Sequence, residues 1–180
     1  GAASWNLAMR LTPRARGWAI VNDDVTFAPG DLAALAHAME DPEPRLMTLC
    51  GFSAFGINRG ALRAVGWFDE SYHPAYVEDC DYEYRCRLAG VPIVPLARDT
   101  RHRNSSTIEI PRWGRANERT QPANVAYHIA KWGGAPRGGE VYTVPFDGAR
   151  ALYPDPARLA DLAWNEPAET TLLLPDGETR

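Results

Sequence analysis

Apolar positions along the chain fall into short blocks whose period changes from one block to the next. Leu7 and Leu11 stand four apart beside Ala3 and Met9, which predicts a short helix over Ala2 to Leu11, stopped near Pro13. Trp18-Ala19-Ile20-Val21 is an uninterrupted apolar run that breaks abruptly into Asn22-Asp23-Asp24. Such a run predicts a buried strand with polar side chains at its carboxyl end, where open α/β sheets place ligands. Pro29-Gly30-Asp31 then reads as a turn and N-cap, and Leu32, Leu35, Ala36 and Met39 recur with helical spacing.

Pro42 and Pro44 close that helix. Leu46 to Cys50 predicts a second extended segment, continuing through Gly51 towards Ala54 to Ile57, with Asn58-Arg59-Gly60 as a turn. Ala61, Leu62 and Val65 make one helical patch closed by Gly66, and Trp67 to Val77 is an aromatic loop. Glu78 to Ala89 reads as a helix with acids in its first turn, Arg85 and Arg87 near its end and Gly90 just beyond, as the helix dipole favours. Val91 to Leu96 is a peripheral strand, because Pro92 and Pro95 lack backbone donors. Further helices are expected around Ala123 to Trp132 and Ala157 to Trp164, with a strand over Val141 to Val144. The sum is an α/β fold, a mixed sheet flanked by helices, with residues 1–150 as the main domain and 151–180 as an extension.

Composition narrows the function classes. With 180 residues, 45% hydrophobic and 23% charged, the chain suits one globular domain and is too rich in apolar residues for global disorder. A net charge of −4 argues against a nucleic-acid or anionic-membrane binder. No apolar run approaches the roughly 20 residues that span a bilayer. Cys50, Cys80 and Cys86 are odd in number and form no Cys-x-x-Cys pair, which suits free thiols in a reducing, cytoplasmic setting.

Three clusters carry possible chemistry. Asn22-Asp23-Asp24 reads either as a turn or as oxygen ligands for a hard divalent cation. Glu78-Asp79-Cys80-Asp81 reads either as acidic capping of a helix or as the source of a general base. His102, in a polar loop, is either a surface residue or the nitrogen ligand completing a metal site.

Their order along the chain gives the joint pattern. Asn-x-Asp at a strand end precedes Cys50-Gly51-Phe52-Ser53-Ala54-Phe55-Gly56-Ile57-Asn58-Arg59, then Gly66-Trp67-Phe68-Asp69-Glu70, then Glu78-Asp79-Cys80-Asp81-Tyr82. This order resembles the second half of the family 2 glycosyltransferases with a GT-A fold, over about Gly1 to His102. Gly1 to Asn6 also resembles the G-x-x-x-x-N stretch that precedes the metal strand in that family.

The resemblance implies a partial GT-A fold and an inverting, metal-dependent transfer of sugar from a nucleotide-diphosphate donor to a carbohydrate or other hydroxyl acceptor. It implies that Asn22, Asp23 and Asp24 meet the donor diphosphate, and that Asp24 and His102 hold Mn2+ or Mg2+. His102 follows Asp79 by 23 positions, as a metal-site histidine does in some relatives. Asp79 becomes the base, backed by Glu78. Trp67, Asp69, Glu70 and Tyr76 become candidates for acceptor contact. In relatives an upstream half carries much of the nucleobase pocket, so a missing N-terminal half or a second chain is expected to complete the fold. The Gln-x-x-Arg-Trp element of processive synthases is unmatched, since Glu109-Ile110-Pro111-Arg112-Trp113 has Glu first. The competing reading is a non-catalytic sugar- or partner-binding remnant of such a transferase.

Overall fold

A computed structural model describes residues 1–103 and 109–144. In chain order the elements are α1 (Ala2–Leu11), β1 (Gly17–Val21), β2 (Val25–Thr26), α2 (Asp31–Met39), β3 (Leu46–Thr48) and β4 (Ala54–Asn58). They continue with α3 (Arg59–Val65), α4 (Glu78–Leu88), β5 (Ile93–Pro95), β6 (Arg101–His102) and α5 (Pro111–Trp132). A four-stranded mixed sheet runs β1-β4-β3-β5, antiparallel except for the parallel β3/β5 pair, and β2 and β6 form a separate two-stranded ribbon.

β4 is buried along its whole length, and its alternation sorts the two faces of the sheet. Phe55 and Ile57 join Met9, Trp18, Leu62, Phe68 and Tyr82 in the larger core, beneath α1, α3 and α4. The Phe68 ring stacks on Tyr82 of α4 with centroids 3.9 Å apart. Ala54 faces the other way, clustering with Leu35, Met47 and Leu49 under α2. Small residues let α2 approach closely: a Cβ at Gly56 would lie 2.9 Å from both Leu35 Cδ1 and Met39 Sδ. The helix therefore rests on bare strand backbone.

Several boundaries differ from expectation. The segment from Leu46 towards Ile57 is a hairpin, not one extended run, because the chain reverses at Gly51 with φ +57°. Asn58 belongs to no turn; it ends β4 and N-caps α3, its Oδ1 accepting from Ala61 N at 2.8 Å. The same side chain accepts from Arg45 N and donates Nδ2 to the carbonyls of Asp41 and Glu43. On α2, Leu32 is exposed while Asp31 is buried, accepting from Ala28 N and the Thr100 hydroxyl.

α5 begins at Pro111, well before Ala123, and carries Pro122 within it. The polar run Asn117 to Gln121 hid its first half from a search for apolar periodicity. Val141 to Val144 form no strand; Val141 N and Tyr142 N both donate to Trp132 O at 2.9 Å, folding the chain back on the end of α5. The helix expected over 157–164 lies outside the described residues. No described helix is long and apolar enough to cross a membrane, and all three cysteines are free.

Candidate functional site

β1 delivers the first cluster. Asn22 N donates to Ser53 O at 2.8 Å, extending the β1/β4 ladder by one bond before the chain turns through Asp23 and Asp24. β2 then pairs with β6, matching Val25 to His102, and Arg103 N donates to Asp24 O at 3.0 Å. That ribbon brings Asp24 beside His102 despite their distance in sequence: His102 Nε2 lies 2.9 Å from Asp24 Oδ1. Both side chains are largely withdrawn from solvent, at 17% and 13% exposure. On the other side of the ring, His102 Nδ1 lies 3.1 Å from Ser53 Oγ. Asn22 is half-buried and Asp23 exposed. Cys50 borders the group, and burial, helped by the Asp24 charge, pushes its thiol up from the usual range.

A carboxylate oxygen and an imidazole nitrogen, side by side and mostly dry, suit a divalent cation that takes mixed O and N donors. Two donors do not saturate such an ion, and among the described residues no group of three His, Cys, Asp or Glu side chains is placed to hold one. Remaining positions would fall to oxygen atoms of a bound molecule.

The second cluster opens α4. Asp79 is partly exposed at 26% and accepts from Arg137 Nη2 at 3.1 Å. Glu78 is buried, and burial raises its carboxyl to about 7, against the opposing pull of its own backbone N–H. Its Oε2 has no hydrogen-bond partner among the described residues. Neighbouring carboxyls thus occupy two environments: Asp79 faces solvent and a guanidinium, while Glu78 faces the protein interior.

Sequence reasoning missed a third group, the polar network joining α4 to α5. Lys131 Nζ sits 2.7 Å from Asp69 Oδ2 and 2.6 Å from Asp81 Oδ1, all three side chains fully buried. Arg85 Nε and Trp132 Nε1 also donate to Asp81, each at 2.8 Å, and Tyr127 OH donates to Asp69. Burial alone would raise the Asp81 carboxyl, but Arg85 and then Lys131 outweigh it and hold it near about 2. Tyr72 OH links the network to His128 Nδ1 at 3.0 Å, and His128 Nε2 meets Glu140. The i,i+4 spacing of Asp81 and Arg85 was the available signal; the partner lysine lay too far along the chain to be paired by pattern.

This network changes the expected acceptor surface. Asp69 is wholly buried and spent on Lys131, Tyr127 and the Ser71 N–H, so it presents no carboxylate to a ligand. Trp67 is 2% exposed and packs in the main core, so its ring offers no face for a sugar. Tyr76 is half-buried at φ +75°, its carbonyl accepting from Asn124 of α5. Glu70 remains partly exposed, with Oε1 accepting from Asn6 Nδ2 at 2.8 Å. Asn6 also exchanges two bonds with the Phe68 backbone, so it pins the Trp67 to Glu70 segment onto α1.

No family model matches the chain, and no solved structure matches it. Over 38 residues it is 47% identical to a galactofuranosyl glycosyltransferase of Leishmania donovani; this stretch is 21% of the chain and 9% of that protein.

Proposed function

We propose that the chain is part of a glycosyltransferase that moves a sugar from a nucleotide-diphosphate donor to a hydroxyl acceptor, with a divalent cation and inversion. The observation that carries this reading is the Asp24 and His102 pair at the end of β1, 2.9 Å apart. Two residues named from the order of motifs meet across a ribbon that the sequence did not reveal. The short match to a galactofuranosyl glycosyltransferase supports the general class.

In this reading Asp24 and His102 hold Mn2+ or Mg2+, which would neutralise charge gathering on the departing diphosphate. A nitrogen donor in the pair favours manganese over magnesium. Asn22 and Asp23 line the approach of the diphosphate. Asp79 takes the proton from the acceptor hydroxyl as it attacks, with the Arg137 guanidinium 3.1 Å away. Glu78 backs Asp79 from the interior. Glu70 and Tyr76 are the remaining candidates for acceptor contact.

The test is calorimetric titration of the full chain with Mn2+ and a panel of nucleoside diphosphates. Metal-dependent binding that disappears in Asp24→Ala supports the reading. Absence of nucleotide binding with and without metal, in a folded protein, points instead to a non-catalytic binding module.

A further inference from the structure

We infer that Ser53 is a positioning residue for the cation pair, orienting the His102 ring so that Nε2 is presented beside Asp24; this deepens the transferase reading and rests on it. Ser53 stands 49 positions before His102, yet its hydroxyl lies 3.1 Å from Nδ1. Its backbone is fixed independently of the ring. Ser53 O accepts from Asn22 N at 2.8 Å, and Ser53 N donates to Cys50 O at 3.3 Å, within the turn that Gly51 permits at φ +57°. One residue therefore ties together the end of β1, the β3/β4 turn and β6. These are the segments that carry or border Asp24, Cys50 and His102.

The chemistry of the ring explains why a hydroxyl stands there. A neutral imidazole has one protonated nitrogen and one with a free lone pair. A cation at Nε2 takes that lone pair and leaves the proton on Nδ1, which then needs an acceptor. With no cation the tautomer can reverse, and Nδ1 then needs a donor. A serine hydroxyl serves both states by rotating, since it carries one donor and two acceptor positions. A backbone carbonyl or a carboxylate could only accept. Ser53 thus keeps the ring in one orientation whether the site is loaded or empty.

The experiment compares Ser53→Thr with Ser53→Val, two side chains of nearly equal shape that differ in the hydroxyl. Mn2+ affinity is read by calorimetry on the full chain, and the His102 tautomer by 15N long-range correlation with diamagnetic Zn2+ as probe. Ser53→Val should weaken Mn2+ binding by about 10- to 100-fold and divide the Zn2+-loaded ring between Nε2 and Nδ1 coordination, read as the position of the remaining proton. Ser53→Thr should retain tight binding and a proton fixed on Nδ1. Equal affinity and identical ring spectra in both variants would overturn the role of Ser53 while leaving the Asp24 and His102 pair standing. If the unaltered chain takes up neither ion, the metal reading itself fails, and this role with it.

Discussion

The Lys131 ammonium lies 2.6 Å from the Asp81 carboxylate, with neither side chain exposed to solvent. The contact joins the end of α5 to the first turn of α4, the helix that carries Glu78 and Asp79. Lys131→Met would strand both Asp69 and Asp81 without their shared cation. It should cost about 3 to 5 kcal/mol, because breaking a buried pair leaves uncompensated charge. Urea unfolding at neutral pH measures the loss, and a cost below about 1 kcal/mol would mean that water reaches the pair.

Asn58 gives a sharper test of local geometry. Its amide makes two accepting and two donating bonds while the residue is 2% exposed. Asn58→Asp keeps the shape and the helix cap but turns a donor into an anion against two carbonyls. It should therefore destabilise more than Asn58→Ala, which costs about 1 to 3 kcal/mol by leaving its partners unpaired. A milder effect for Asp than for Ala contradicts this assignment.

Much of the scaffold was legible because its signals are local. The β1 run, the α4 charge pattern and the apolar repeat of α2 each declare an element within a dozen residues. The pairing of β2 with β6 was not legible, since two-residue strands carry no periodicity. Asp24 and His102 were nevertheless named, through the order of motifs and not through any geometric signal. Asp69 and Trp67 were misplaced for a related reason. An acid and an aromatic in an aromatic-rich loop look exposed until their buried partners, Lys131 and the core beneath α1, are known.

Removing either side of the cation pair should act on metal before it acts on fold. Asp24→Ala and His102→Ala are each expected to lower Mn2+ affinity by at least about 10-fold with little change in thermal midpoint. Loss of affinity in parallel with unfolding would assign the pair a structural duty instead.

Asp79→Asn should reduce turnover by about 100-fold or more while donor binding stays close to normal, because a base contributes to the chemical step and not to ground-state affinity. Transfer assays with radiolabelled donor, paired with calorimetry, separate the two. Unchanged turnover removes Asp79 from the mechanism.

Glu78 predicts a pH dependence of stability. Its carboxyl is held near about 7 in the fold against 4.5 when free. For an acid with a raised value, stability is fully present below the free value and is lost as pH climbs through the folded one. Between about pH 4.5 and 7, Glu78→Gln should gain on the unaltered chain by on the order of 3 kcal/mol. Denaturant titrations at pH 4.5 and pH 8 give the difference, and parallel curves would show that the buried carboxyl is solvated after all.

The β2/β6 ribbon consists of two residue pairs, and His102 is flanked in sequence by Arg101 and Arg103. A slip of one position would carry a guanidinium to the place the imidazole holds. Asp24 would then face a permanent positive charge, an internal salt in place of the proposed cation site. Alignment of four residues thus decides whether this corner of the molecule could be the proposed receptor or would be a plug.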